Sequence, residues 1–365
     1  MLEAVAGLVE KGSEVETVVP AEGELSEHLR KLGVAVHVVP LTWWVAYAQW
    51  SRFDYQLRRL ARNLYSGPQL YRLLKKTKPD LVVSNTLTIP AGAFAARQAR
   101  IPHVWYVHEF GREGHGFHFD LGEARTFSLM NKLSAKIMTN SRAVAESLMA
   151  HIPSEKLRVV YQAVDVPPQP PTPDTNGEVL RLIYVGRLAT GKRQEDAIRA
   201  LASLVIKGLR LHLTLVGPDV LNYGRMLQNL VRELQVSPHV DFVGPTNDPF
   251  AYMTAADVAV ICSEGEAFGR VTIEAMKLGK PVIGANSGGT AELISSGETG
   301  LIFAVGDSED LARKIEILYH DSKLRNEIGA RAQAWATGNF SREKYAADLL
   351  EVFREVLQQQ PVSPS

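Results

Sequence analysis

Short apolar runs alternate with stretches in which apolar residues recur every three or four positions, and this alternation extends over nearly the whole chain. A strand-like EVETVVP and the runs at 34–39, 81–84, 104–107, 136–138 and 158–161 predict one series of strands. The runs at 180–185, 211–216, 240–243, 258–261, 282–285 and 301–303 predict a second. Strands spaced by helical patterns in this way predict parallel sheets with helices on both faces. The chain opens on a helix, LEAVAGLVEK, with Leu2, Val5 and Val9 on one side and Gly12 as its stop. Between the two series lies VDVPPQPPTPDTNGE, with five prolines in the seven positions from Pro167 to Pro173. Proline fixes φ and lacks an N–H, so this stretch predicts an extended connector. The expected organisation is an α/β domain over 1–166, a linker over 167–178, a second α/β domain over 179–340 and a closing helical segment over 341–365. In that segment Tyr345, Leu349, Val352 and Val356 share a face, and the final PVSPS is expected to fray.

Composition sets the class. With 365 residues, 45% hydrophobic and 22% charged, the chain is long enough for two ordinary domains. Forty basic residues balance forty acidic ones, which gives no reason to expect a nucleic-acid partner. The single cysteine, Cys262, follows the apolar run Val258, Ala259, Val260 and Ile261; it has no intrachain partner, and a buried thiol in a reducing compartment is expected. No run reaches the roughly 18 apolar residues of a membrane span, and no basic region with an apolar core follows Met1, so a cytoplasmic protein is expected.

The chemistry concentrates in 263–293, SEGEAFGRVTIEAMKLGKPVIGANSGGTAEL. A helix is expected to start near Gly269, to turn Val271, Ala275 and Leu278 to one apolar face, and to stop at Gly279-Lys280-Pro281. Its first residues, with Phe268, Gly269, Arg270 and Val271, would present backbone N–H groups and the positive end of the helix dipole, a combination that binds phosphate. Glu266 lies on the entering loop and Glu274 about two turns into the helix, and carboxylates accept hydrogen bonds from sugar hydroxyls. After the strand RLIYVGR, Arg187 stands at a strand end with Lys192 five positions later. Strand carboxyl ends line the ligand crevice of open α/β sheets, so these cations either clamp a diphosphate or are solvated surface charges. In the first domain HVWYV ends at His108, a position suited to binding a hydroxyl or moving a proton; the alternative is a histidine satisfied by backbone hydrogen bonds. His115 and His118 follow, but no ligand spacing supports zinc, and no metal is expected.

Two glutamates eight positions apart, Phe-Gly after the first, Glu-Ala at the second, then Gly-Lys-Pro-Val and Gly-Gly-Thr-Ala-Glu, form an ordered set. It resembles the signature of retaining family 4 glycosyltransferases of the GT-B fold. That resemblance implies an α/β protein of two doubly wound, Rossmann-like domains facing across a cleft. It implies transfer of a hexose-type sugar from a nucleoside diphosphate sugar, UDP- or GDP-linked, to a hydroxyl of a glycan, a lipid-linked glycan or a small molecule, with no cofactor. Arg187 and Lys192 would hold the diphosphate and stabilise it as it leaves, together with the helix start at Phe268, Gly269, Arg270 and Val271. Glu274 would bind the ribose, Glu266 the donor sugar, Pro245 and Thr246 would lie by the base, and His108 would touch the donor sugar. Glu292 and the Gly288-Gly289 turn match the pattern too.

The chain departs from that pattern in two places. It has Gln162-Ala163-Val164-Asp165 where many members have Asn-Gly-Val-Asp. It also opens on a helix where members have a strand and a glycine-rich turn, so the first strand is expected to be missing and transfer to be poor. The competing readings are a nucleotide-sugar epimerase of the same architecture and a catalytically silent nucleotide-binding protein. A dehydrogenase is disfavoured, since no G-x-G-x-x-G joins a strand to a helix.

Residues 41–78 carry the aromatic run LTWWVAYAQW, then Arg52, Arg58, Arg59, Arg62, Arg72, Lys75, Lys76 and Lys78 against one acid, Asp54. Phe53, Leu57, Leu60 and Leu64 give that segment an apolar stripe. A basic amphipathic helix of this kind either lies on an anionic membrane on the cytoplasmic side or packs its stripe on the core and solvates its charges.

Overall fold

The computed structural model describes residues 1–47, 53–111, 116–169 and 179–359, with backbone alone at 53, 54, 60, 63 and 64. Of the sequence expectations, the aromatic run beyond Tyr47, Arg52, His115, the proline stretch from Pro170 and the terminal PVSPS lie outside the described residues. Contacts divide the chain into two units: Met1–Ala163 with Arg342–Ser365, and Val164–Ser341.

The first unit contains α1 (Leu2–Glu10), β1 (Glu16–Val19), α2 (Glu24–Lys31), β2 (Ala35–Val38), β3 (Val45–Tyr47), α3 (Phe53–Thr77), β4 (Val82–Ser84), α4 (Ala91–Ala99), β5 (His103–Val107), β6 (Phe117–Phe119), α5 (Glu123–Leu133), β7 (Lys136–Thr139), α6 (Arg142–Leu148) and β8 (Leu157–Val159). β4, β5, β7 and β8 form a parallel sheet in that order, while β1 and β2 pair in parallel with each other. The expected strand series therefore forms, but in two sheets. An antiparallel ribbon, β3 with β6, was not anticipated, because its three-residue strands meet from distant parts of the chain. The closing helix, Arg342–Gln358, packs Tyr345, Leu349, Val352 and Val356 against Val104, Tyr106 and Met138. It meets α1 at Gly7, where an added Cβ would lie 2.8 Å from the Ala346 Cβ. Arg342 reinforces this contact by bonding to Glu3 at 2.7 Å and Glu10 at 2.9 Å.

The apolar stripe expected on α3 is not an inward face throughout. Leu57 is 49% exposed; the side chains of Phe53, Leu60 and Leu64 lie outside the described residues. Burial falls instead on Leu70 and Leu74, which pack on α4. Arg58, Arg62, Arg72, Lys75, Lys76 and Lys78 are exposed, while Arg59 turns onto Asp120.

The second unit contains β9 (Leu180–Val185), α7 (Gln194–Ile206), β10 (Leu211–Val216), α8 (Tyr223–Glu233), β11 (Val240–Gly244), α9 (Pro249–Ala255), β12 (Val258–Ile261), α10 (Arg270–Lys277), β13 (Val282–Ala285), α11 (Gly288–Leu293), β14 (Gly300–Phe303), α12 (Ser308–His320) and α13 (Ser322–Asn339). Its six strands make one parallel sheet in the order β11-β10-β9-β12-β13-β14. The chain winds outward from β9 to one edge, then returns to β12 and winds to the other. Ligands of such sheets bind beyond the carboxyl ends of the strands where the order reverses, here between β9 and β12.

The helix α10 corrects one expectation. Its buried residues are Thr272, Ile273, Glu274, Ala275 and Met276, whereas Val271 and Leu278 are only partly buried. α10 packs on both the sheet and α13, so more than one stripe of it is covered.

Candidate active site

A cavity of about 140 Å³ opens at the reversal point, lined by Tyr184 and Val185 of β9 with Gly186, Arg187 and Lys192 beyond it, by Ile261 of β12 with Ser263 and Glu266 beyond it, and by Gly269, Val271 and Thr272 at the start of α10. Arg187 is the second residue past β9, and its carbonyl accepts a bond from Gln194 Nε2 at 2.9 Å, tying it to the first turn of α7. Lys192 ends a single 3₁₀ turn, and its carbonyl accepts the Tyr184 hydroxyl at 2.6 Å. Lys192 Nζ donates to Glu266 Oε2 at 2.5 Å. Two cations and one carboxylate thus line one cavity, Arg187 exposed to solvent and Lys192 and Glu266 about a quarter exposed.

The helix start adds backbone donors. Gly269, in the left-handed region at φ 87°, caps α10; the Thr272 N–H turns back to the Gly269 carbonyl at 3.0 Å, and helix geometry aims the N–H groups before it out of the end. Phe268 packs its ring on Phe340 at 6.0 Å, so it can serve the cavity only through its backbone. Glu274 lies in the second turn, is 9% exposed, and accepts from Arg270 Nη2 at 3.2 Å. The Glu266 loop is held from beneath. Gly289 N–H donates to the Glu266 carbonyl at 2.6 Å, Gly265 N–H to Ser287 Oγ at 3.0 Å, and Glu264 N–H to the Gly191 carbonyl at 2.9 Å. Gly288, at φ 52°, passes so close that an added Cβ would lie 2.3 Å from the Glu266 carbonyl oxygen.

Of the residues expected at the donor site, Arg187, Lys192, Glu266, Gly269 and Val271 line the cavity; Arg270 and Glu274 stand beside it on α10, Arg270 exposed to solvent. Pro245 and Thr246 follow β11 and are not among its lining residues; the Thr246 hydroxyl accepts from Asp248 N–H at 3.1 Å. Tyr184, Ser263 and Thr272 were not anticipated. Their signal in the sequence was faint: single polar atoms within or beside apolar runs. Cys262 is buried, and burial raises its thiol pKa well above the ordinary value, which keeps the thiol protonated.

In the first unit His108 directly follows β5. Its Nε2 lies 2.8 Å from Asn85 Oδ1, an atom that can only accept, so Nε2 carries the proton. Its Nδ1 then accepts from Gln162 Nε2 at 3.2 Å. Burial lowers its pKa to about 3, so the ring is neutral at physiological pH. Glu109 fixes the surrounding loop, accepting from the Thr86 hydroxyl at 2.7 Å, Leu87 N–H at 3.1 Å and His108 N–H at 3.0 Å. Gln162, the departure from the family pattern, is thus a partner of His108, and Asn85 and Glu109 are further residues not anticipated. Among the described residues no group of three acidic, histidine or cysteine side chains is arranged to hold a metal.

Comparison with known proteins agrees with this architecture. The family model "Glycosyltransferase Family 4" matches residues 2–167, and "Glycosyl transferases group 1" matches residues 168–335. N-acetyl-alpha-D-glucosaminyl L-malate synthase of Bacillus anthracis is 32% identical over 176 residues, 48% of this chain and 45% of that protein. A lipopolysaccharide core biosynthesis glycosyltransferase of Rhizobium meliloti is 34% identical over 170 residues, 47% of this chain and 48% of that protein. The chain spans about half the length of the curated relatives it matches. Among solved structures, Anabaena HepE in complex with UDP-glucose superposes with a TM-score of 0.73 at 24% identity, over 97% of this chain and 96% of that one. A glycosyltransferase from Rickettsia africae superposes with a TM-score of 0.79 at 20% identity, over 98% of this chain and 94% of that one. At these identities the structural likeness carries the fold alone. With the two family models meeting end to end over two Rossmann-like units, the chain belongs to the glycosyltransferases of the group 1 and family 4 type, with the GT-B fold.

Proposed function

We propose that this chain transfers a hexose-type sugar from a nucleoside diphosphate donor, UDP- or GDP-linked, to an acceptor hydroxyl with retention of anomeric configuration. The carrying observation is the convergence of Arg187, Lys192 and the α10 start on one cavity at the sheet reversal, with Glu266 beside them. A diphosphate fits this set: the guanidinium offers a fork, the ammonium a point charge and the helix end backbone donors. The base of the nucleotide lies toward Pro245 and Thr246, and Glu274 takes its ribose hydroxyls.

In the reaction the bond from the sugar anomeric carbon to the diphosphate oxygen breaks, and the acceptor oxygen bonds to that carbon on the same face. The acceptor proton passes to the departing phosphate, while Arg187 and Lys192 offset the charge that gathers there. Glu266 orients the donor sugar through its hydroxyls. His108, in the first unit, is a fixed, neutral hydrogen-bonding group; with its proton held toward Asn85 and its pKa near 3, it is not the proton carrier. The UDP-glucose bound to Anabaena HepE supports a donor of this chemical class.

The acceptor is a glycan, a lipid-linked glycan or a small molecule. Contact with a membrane at its cytoplasmic face is supported by the exposed side of α3, where Leu57, Arg58, Ala61, Arg62, Tyr65, Arg72, Lys75 and Lys76 combine apolar groups with cations. Among the described residues, no helix is long and apolar enough to cross a membrane.

The testing experiment incubates the chain with α-linked UDP-glucose, GDP-mannose and related donors against an acceptor library, and reads the anomeric configuration of the product by NMR. An α-linked product supports the proposal, and a β-linked product contradicts retention. Epimerised nucleotide sugar without acceptor would replace the proposal with an epimerase.

A further inference from the structure

A second concave surface lies in the first unit on the β3–β6 ribbon, with a volume of about 390 Å³. Side chains alternate across a strand, so Val45 and Tyr47 share one face of β3; Tyr47 stands directly opposite Phe117, Val45 opposite Phe119, and Trp43, which precedes the strand, lines the groove with them. The neighbouring Trp44 turns inward: it stacks on Trp105 at 5.6 Å with planes 6° apart, and donates its indole N–H to the Leu87 carbonyl at 2.9 Å. The two adjacent tryptophans therefore differ sharply in burial: Trp44 is 4% exposed and Trp43 is 42% exposed. Tyr47 is 45% exposed. Both open rings lean on the buried Phe117, with centroids at 6.5 Å for Trp43 and 5.6 Å for Tyr47, and planes inclined by 59° and 56°.

One edge of the groove is polar. Arg59 reaches over from α3 and grips Asp120 with two prongs, Nε to Oδ2 at 2.9 Å and Nη2 to Oδ1. Asp120 in turn donates its N–H to the Trp44 carbonyl at 2.9 Å. The guanidinium charge is thus already compensated by Asp120, and the groove has no lone Arg59 charge to offer an anion. What it does offer is two supported aromatic surfaces beside Thr42 and a neutral pair of hydrogen-bonding groups. Apolar walls with a few convergent polar groups form a small-ligand site. A pyranose matches it: its axial C–H groups lie flat on an aromatic face, and its hydroxyls exchange hydrogen bonds around the rim.

We propose that Trp43 and Tyr47, backed by Phe117, form a stacking subsite for a neutral sugar unit of the acceptor. Assignment to the acceptor rests on the transferase reading above; the sugar-binding claim does not. The test applies the full chain and its Trp43→Ala, Tyr47→Ala and Trp43→Phe variants to a printed array of neutral and charged glycans. Parallel arms use phosphatidylglycerol vesicles and a calorimetric UDP titration. The expected result is binding to neutral glycans that falls about tenfold or more in each alanine variant, stays within about threefold in Trp43→Phe, and leaves UDP affinity unchanged. The proposal is overturned if the wild type binds no glycan, if both alanine variants bind glycans like wild type, or if the variants lose vesicle binding alone. The UDP arm reads the second unit separately and so tells a failed donor reading from a failed subsite.

Discussion

Lys192 Nζ lies 2.5 Å from Glu266 Oε2, so the cation proposed for the phosphate and the carboxylate proposed for the sugar neutralise one another. Both side chains are about one quarter exposed, at 26% and 24%. A partly exposed pair of this kind stabilises a fold by about 0–1 kcal/mol, far less than a fixed cation contributes to a developing phosphate charge. Lys192→Ala is therefore expected to reduce kcat by about a hundredfold or more while moving the urea unfolding midpoint little. Steady-state kinetics beside equilibrium unfolding checks this; a large loss of stability with modest loss of rate would assign the pair a structural role.

Gly288 meets two constraints at once, a φ of 52° and a carbonyl that would lie 2.3 Å from any Cβ. Gly288→Ala is expected to destabilise the second unit by about 1–3 kcal/mol and to weaken UDP binding, because the displaced group is the Glu266 backbone. Thermal unfolding with UDP titration measures both. Unchanged binding in a destabilised but folded variant would show that the brace serves the fold only.

Two histidines link stability to pH. Burial lowers both His103 and His108 to about 3, below the ordinary value of 6.5. Below pH 6.5 the unfolded chain binds protons that the folded chain refuses, so stability is full above that pH and declines as pH falls from 6.5 toward 3. The expected slope is roughly 1 kcal/mol per pH unit for each histidine. Urea unfolding across this range, with His108→Gln as comparison, checks it: the variant should show the shallower slope.

Cys262 is fully buried with its thiol pKa raised, so the native protein should react with a thiol reagent only as fast as it opens. Rapid labelling in native buffer, compared with labelling in urea, would contradict that burial.

Much of the second unit was legible in the sequence, because the strands of a sheet covered on both faces are short, largely apolar runs with a break at each end. Leu180–Val185 and Val258–Ile261 stand out for this reason, and their carboxyl ends carry Arg187 and Glu266. The first unit was less legible. β3 and β6 are short, aromatic and far apart in sequence, so neither alternation nor a turn signal announces the pairing of Val45 with Phe119. The partners of His108 were hidden for a similar reason: Asn85 and Gln162 come from separate loops, and only the folded chain brings their amides to the two ring nitrogens. The apolar face of α10 was misplaced because packing against both a sheet and α13 buries Thr272 and Glu274 along with Ile273 and Met276.

The most direct test of the donor site is a calorimetric titration of UDP, GDP and ADP into the wild-type chain, Glu274→Ala and Arg187→Ala, each verified as folded. Saturable binding of one nucleotide, weakened about tenfold or more by each substitution, is the predicted result. A folded wild-type chain that binds none of the three, or variants that bind as tightly as wild type, would contradict the donor site at the reversal of the second sheet.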